Sequence, residues 1–464
     1  MRAEKILVEP FEFLNYTELE CNRELNRHGE VRVTGLIRRE KEQDYMNLAA
    51  KETWVSVKVI TETGETRNFF CGVLTNLWVK KENQLSALTI EIKTGTFLLD
   101  IEPHIRSFQD RGLRYEDILR TCTEASMGRY IMLGKEGELA GQFFMQYNET
   151  DWEFIKRIAS CAGVPLIPED ATMGKKFYFG YQEHKVSHEI AMESYQVEQD
   201  YDRYQRRKQT GTAREEKVNA NSYILDTREM YSLGENVRFR GHDLVVGRIK
   251  SWLKGQELYN EYRLISRENG VLPPVSNDRL SGVSLLANVS AVEKTMVQVT
   301  IVEDENKDNR KRRWLDYATV YSSKDGTGWY CMPEVGDEVR VVFPDHNENN
   351  AYVASSVHIG AAGGRYNPDE KSWKNKQNKE ILFTKEAIVI RNNQGLVLEL
   401  SDTEGIKLVS DKDIMVRAAG DIQIDSQNAG IQMSAEHSIF MQQGAARIEM
   451  DDTIQVKGGK IYMN

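Results

Sequence analysis

The sequence predicts a mainly β protein with a few helices. It reads as two N-terminal β-barrels with helices between them, then an OB-type barrel, then a C-terminal β-helix in which three copies of the chain intertwine. Three observations lead there. About 80 C-terminal residues repeat an apolar pair at nearly constant spacing, residues 282–359 carry short alternating strands, and the first 275 residues mix alternating strands with capped helical segments.

The repeat is an x-Φ-x-Φ pattern: Ile388/Ile390, Val397 or Leu398 with Leu400, Ile406/Leu408, Ile414/Val416, Ile422/Ile424, Ile431/Met433, Ile439/Met441, Ile448/Met450, Ile454/Val456 and Ile461/Met463. From Leu398 the first members step by 8, 8, 8, 9, 8, 9, 6 and 7 residues. Period two within a unit means strand, and Gly, Asn or Asp between units means turn. Gly405, Gly420 and Gly430 precede such pairs, where a tight corner calls for positive φ or close backbone approach. A unit of about eight residues looks too short to fold back on itself as a meander, so each strand is expected to find partners elsewhere. A single-chain solenoid needs coils of about 20 residues or more, which favours three chains around a shared axis over a solenoid or an ordinary β-sandwich. The expected trimer core is Ile406, Leu408, Ile414, Val416, Ile422, Ile424, Ile431, Met433, Ile439, Met441, Ile448 and Met450.

Upstream, the runs Val283–Val292, Met296–Val302, Trp314–Tyr321, Val339–Phe343 and Tyr352–Ile359 fit a five-stranded OB barrel over 276–360. Arg310 to Arg313 form a basic run, but Glu303, Asp304, Glu305 and Asp308 adjoin it, so a solvated hairpin tip is expected and nucleic acid is not. Residues 361–380 read as a linker and 381–464 as the repeat. The N-terminal region, 1–275, alternates in Thr53–Ile60, Phe69–Val79 and Leu85–Lys93, then again in Leu233–Phe239, Leu244–Trp252 and Asn260–Arg267. Between them Thr150-Asp-Trp-Glu153 is a capping box, with Trp152, Ile155, Ile158, Ala159 and Ala162 on one stripe and Gly163 as the stop. Arg114–Thr123 predicts a second helix.

Composition narrows the function classes. The 464 residues are 40% hydrophobic and 28% charged with net charge -10, which argues against disorder and against a broad phosphate-binding surface. No apolar run approaches the roughly 20 residues of a membrane helix. Acidic residues interrupt the N-terminus where a secretory signal needs an apolar stretch, so synthesis and folding in the cytosol are expected. Five scattered cysteines encode neither a disulfide framework nor a zinc ribbon. No catalytic, metal or cofactor residues are predicted. His184 and His188 lack the HExxH pattern, Asp304-x-Asn306-x-Asp308 lacks the Gly and Glu of a calcium loop, and Gly326-Thr-Gly328 and Gly360–Gly364 read as turns. The acidic pairs Asp402/Glu404 and Asp451/Asp452 sit at turns of the repeat.

The order barrel, helices, barrel, OB barrel, octad repeat resembles the VgrG spike of type VI secretion and the hub-and-spike proteins of contractile phage tails. Phe144–Phe154 with Ile155, Arg157 and Ile158 is similar to the family's Y-x-E-(S/T)-D-x-x-F-(L/I)-x-R segment. Phe108-Gln109-Asp110 before Asp117-Ile118-Leu119, and Gly328-Trp329 before Met332–Phe343, resemble two further family elements. The resemblance implies a non-enzymatic trimeric hub and puncturing spike. Its implied partners are a hexameric inner tube protein, baseplate proteins, and a PAAR-type cap or effectors, the cap docking at a tip of Ile461, Tyr462, Met463 and Asn464. Such a spike is made in the cytoplasm, built into an injection particle and delivered on firing. Only about 20 residues stand where some phage hubs carry a lysozyme domain, so none is expected, and no effector is expected after Asn464. The alternatives are a phage or bacteriocin hub and, from other classes, a cell-wall hydrolase or an OB-type ligand-binding module.

Overall fold

The computed structural model describes residues 3–82, 85–182, 188–200, 205, 221–306, 311–354, 367–460 and 462. The chain forms two units, Met1–His358 and Ile359–Asn464.

In the first unit, one large sheet carries both N-terminal halves. Strands Ala3–Glu9, Trp54–Thr61, Thr66–Glu82, Leu85–Thr94, Glu30–Ile37 and Asn15–Glu24 follow one another in space, all antiparallel. Asn15–Glu24 then pairs with His242–Lys254, which continues into Glu257–Ile265, Asn221–Thr227 and Gln196–Gln199. Asn236–Phe239 branches from His242–Lys254 and takes His188–Ile190 as a parallel neighbour. Strict alternation places every second residue of Trp54–Thr61 inside, where Val55, Val57 and Val59 meet Leu88, Ile90 and Ile92. A separate core of Leu225, Val237, Phe239, Val246, Ile249 and Tyr262 fills the second half. The two barrels read from the sequence are thus curled halves of a single ladder, joined through Arg248↔Glu24 to Trp252↔Glu20.

Helix Asp151–Ala162 stands where its capping box put it, and Tyr115–Glu124 lies one residue on from the expected Arg114–Thr123. Thr150 Oγ1 accepts from the Glu153 N–H at 3.1 Å, the Glu153 carboxylate accepts from the Thr150 N–H at 3.1 Å, and Gly163 closes the helix at φ 70°. A further helix, Glu42–Ala49, gives no such signal: only Tyr45 is buried, against Phe11.

The OB barrel runs in the order Leu315–Asp316, Met296–Ile301, Ser284–Glu293, Glu338–Val342, Tyr352–Ala354. A Tyr317↔Val353 bridge, with the Ala318 N–H donating to Val353 O at 2.7 Å, brings its two ends together. The expected strand Trp314–Tyr321 shrinks to Leu315–Asp316, because the chain then leaves the barrel as a long loop up to Glu338.

This barrel is welded to the helical region. Phe143 and Met145 enter its core beside Phe343 and Val299. Around them lies a buried polar network. Arg157 donates to Glu149 at 2.7 Å and to Glu348 at 2.6 Å, Arg106 donates to Asp151 at 2.5 Å, and Asp304 accepts from the Ser107 N–H at 2.9 Å. Burial alone would weaken the hold of Arg157 on its proton, but the two carboxylates more than offset it and its pKa is raised. Glu149, Asp151 and Arg157 are residues of the segment that carries the family resemblance, so that motif is a structural clamp.

Arg157→Met leaves two buried carboxylates without their cation and is expected to cost about 3–5 kcal/mol. Thr150→Ala removes a helix cap and is expected to cost about 1–2 kcal/mol, with Thr150→Ser recovering most of it. Urea unfolding followed by tryptophan fluorescence reads both. An Arg157→Met loss below that of Thr150→Ala contradicts the clamp.

Candidate functional site: the uncovered apolar face of the C-terminal unit

The second unit departs from the sequence reading in how its strands pair. Lys371–Lys374, Glu380–Phe383, Ala387–Arg391, Val397–Ser401 and Gly405–Val409 form one antiparallel meander, and Ile439–Gln443, Ala446–Met450 and Ile454–Lys457 form another. The expectation that an octad is too short to pair with its own neighbour is therefore corrected. Strands of four or five residues with tight reversals suffice, so these octads pair within the chain. Lys371–Lys374 also lies inside the stretch read as linker, where its alternation is a single Trp373 flanked by polar residues.

Opposed residues of an antiparallel ladder share a face. The registers Trp373↔Ile381↔Ile390↔Leu398↔Leu408 and Phe383↔Ile388↔Leu400↔Ile406 therefore set all nine side chains on one side. The other side mixes Val389, Val397 and Val409 with Glu380, Arg391, Glu399 and Lys407. An ion pair crosses there from Arg391 to Glu380 at 2.7 Å. In the second meander Ile439↔Met450↔Ile454 and Met441↔Ile448↔Val456 likewise share one face.

Among the described residues of this unit, nothing covers these faces: Leu408 is 55% exposed, Ile406 78% and Ile454 74%. The row Trp373, Ile381, Ile390, Leu398 and Leu408 lines a groove of about 690 Å³ that Ile414 reaches at one end. A contiguous patch of this kind marks an interaction surface.

The predicted core residues fall into three sets. Ile406 and Leu408 belong to the first face, and Ile439, Met441, Ile448 and Met450 to the second. Ile414, Val416, Ile422, Ile424, Ile431 and Met433 lie between, in no strand, and are all exposed. Trp373, Ile381 and Phe383 extend the first face beyond the residues singled out in sequence. Of the expected tip, Tyr462 is exposed, while Ile461, Met463 and Asn464 lie outside the described residues. Gly405 takes the positive φ expected of it, at 81°, but Gly420 and Gly430 do not.

The residues weighed for chemistry are otherwise engaged. His188 lies 2.6 Å from Glu235, and His184, Asp308 and Arg310 lie outside the described residues. Asp304 accepts from the Ser107 N–H at 2.9 Å, tying the OB barrel to the strand that holds Ser107, and Arg313 donates to Asn349 at 2.7 Å. A Thr96–His28–Asp100 relay has ring contacts of 2.8 and 3.2 Å, but Thr96 is fully buried, so no substrate reaches its hydroxyl. Tyr321, Trp329 and Tyr330 are exposed on the loop before Glu338, not on the OB strands, where a ligand platform would hold them.

A carboxylate in the apolar row discriminates the two sides of the sheet. Leu398→Asp is expected to abolish self-association measured by light scattering, whereas Glu399→Ala on the other side leaves it intact. Equal behaviour of the two variants contradicts the assignment of the face.

Residues 286–358 match the family of the type VI secretion system/phage-baseplate injector OB domain. By sequence the chain matches no curated protein. Among solved structures it is similar to a chain of the Francisella PdpA–VgrG complex in its half-lidded form, at 8% identity over 88% of each chain with TM-score 0.55. The lidless form of that complex gives 7% identity over 85% of this chain and 93% of the other, with TM-score 0.53. The E. coli c3393 protein, described as a type VI secretion component with structural similarity to the T4 bacteriophage tail proteins gp27 and gp5, is 12% identical over 76% of this chain and 99% of its own, with TM-score 0.52. At these identities the likeness is one of fold: the chain shares the fold of these type VI and VgrG-complex structures, and its residues 286–358 match the injector OB domain.

Proposed function

We propose that this chain is one of three protomers of the puncturing spike and baseplate hub of a contractile injection system. The carrying observation is the pair of one-sided apolar faces in the C-terminal unit, which no described segment of that unit covers. Three copies that turn these faces to a common axis bury them together, and the mixed or charged sides, with Glu399, Lys407, Arg447 and Glu449, remain in water. Such a closed prism lacks free sheet edges along its length and is stiff.

Two curled sheet halves per protomer give six in a trimer, a number that suits docking on a hexameric ring of inner tube protein. Baseplate proteins around this hub, and a PAAR-type cap or an effector at the tip of Ile461 to Asn464, complete the assembly. The similarity to a VgrG named in complex with PdpA supports a spike that carries a partner. Synthesis in the cytoplasm, assembly into the particle and delivery on firing follow from that role, whether the particle is a type VI apparatus or a phage-tail or bacteriocin device. The role is mechanical and needs no catalytic group.

Light scattering on the purified chain is expected to give three times the 53.4 kDa protomer mass, in a form that resists denaturing detergent. Truncation near Gly360 is expected to remove that resistance. A monodisperse full-length monomer contradicts the proposal.

A further inference from the structure

Between Leu315–Asp316 and Glu338–Val342 the OB barrel sends out a hairpin that buries little of what it carries. Ser322 bridges antiparallel to Gly328, the Ser323 N–H donates to Thr327 O at 2.8 Å, and the Trp329 N–H donates to Tyr321 O at 2.9 Å. Local chemistry sets its turn: Gly326 takes φ 89°, and the Asp325 carboxylate accepts from the Thr327 N–H at 3.0 Å. Glycine is required at Gly328, because a Cβ there would come within 2.4 Å of the Tyr321 carbonyl oxygen. The base is held as firmly. Thr319 Oγ1 donates to Trp329 O at 3.0 Å, Tyr330 Oη to Lys294 O at 3.0 Å, and the Ala318 N–H to Val353 O at 2.7 Å.

Opposed residues of this short ladder share a face, so Tyr321 stands beside Trp329 and Ser323 beside Thr327, all on one side. Tyr321 is 52% exposed and Trp329 56%. Rings half in water on a fixed backbone serve neither the barrel core nor the turn, and they lose little freedom when a ligand settles on them. Tyr321 Oη accepts from the Ser323 hydroxyl at 3.4 Å and keeps its own proton for another acceptor. The make-up of this face selects the ligand. An apolar protein surface calls for aliphatic neighbours around the rings, whereas here hydroxyls adjoin them. Nucleic acid calls for cations beside the rings, but none of the four residues is charged, and Lys324 at the turn is offset by Asp325 in a chain of net charge -10. A neutral pyranose unit matches: its C–H face lies on an aromatic ring while its equatorial hydroxyls meet the polar rim.

We propose that the Tyr321/Trp329 face of this hairpin binds a neutral glycan of equatorial pyranose units, with the two rings as stacking platforms and Tyr321 Oη, Ser323 and Thr327 as the hydrogen-bonding rim. The barrel strands present no exposed aromatic ring, so the site belongs to the hairpin and not to the strand face of the OB fold. A two-ring contact is weak by itself, and repeated units along a polysaccharide strengthen it by avidity. The inference is independent of the trimeric reading above: it needs one folded OB barrel, and it adds a contact with an envelope polysaccharide to a mechanical role.

Isothermal titration of the full chain with chitohexaose, a soluble neutral β-linked hexasaccharide, is expected to give saturable heat. W329A and Y321A are each expected to weaken that binding about tenfold or more. V335A, which removes an exposed apolar side chain of the same loop outside the hairpin, is expected to leave it unchanged. All three side chains are exposed, so the variants are expected to keep the parent's urea midpoint. Y321F keeps the ring and removes the hydroxyl, and is expected to lose about threefold. No saturable heat with chitohexaose, cellohexaose or maltohexaose overturns the proposal, and so does binding that W329A and Y321A leave intact. A W329A chain that loses mass in light scattering while its sugar titration is unchanged assigns the hairpin to contact between copies and overturns the glycan site. A monomeric full chain that binds chitohexaose upholds this inference while contradicting the trimer, so the two failures are distinguishable.

Discussion

An apolar sheet face that its own unit leaves in water is the constraint on which the rest of this protein depends. Burying one large aliphatic or aromatic side chain is worth roughly 1.5–3 kcal/mol. The row from Trp373 to Leu408 and the row from Ile439 to Val456, about half exposed on average, together leave an energy comparable to the net stability of a typical domain waiting to be gained. A monomer forgoes that energy and presents a sticky surface. The proposed threefold assembly would collect it, and the one-sided placement of apolar and charged residues suits that arrangement.

The N-terminal unit solves the opposite problem. It buries cores of its own in both sheet halves, in the helical region and in the OB barrel. Its internal joint is polar as well as apolar: Arg157 is held between Glu149 and Glu348, and Asp304 takes the Ser107 N–H. Buried charges tolerate little displacement, because each must keep its partner once water is excluded. In the proposed hub, which would transmit a thrust, a joint of that kind matters more than extra stability.

Much of this was legible in the sequence because local chemistry and tertiary structure agree there. The Thr150/Glu153 capping box and Gly163 mark a helix that the structure reproduces residue for residue at its ends, and the alternation around Val55–Val59 and Val339–Phe343 marks strands with one buried side. The octads were legible as strands but not in their pairing, since period two says which way a side chain points and not whether the neighbouring strand comes from the same chain. Gly405 and Gly420 look alike in sequence and differ in φ, which only the fold decides. The Arg157 network was visible only as a family resemblance: Glu348 lies 191 residues away, and no local pattern announces a pairing at that distance. The helix Glu42–Ala49 was missed because it buries one residue and so has no stripe to read.

Electron cryo-microscopy of the purified full-length chain tests the central claim most directly. The expected result is particles with a threefold shaft in which Ile388, Ile390, Leu398, Leu400, Ile406 and Leu408 of each protomer point at the axis. Single-chain particles, or a threefold particle with that row on its outer surface, would contradict the threefold burial of these faces.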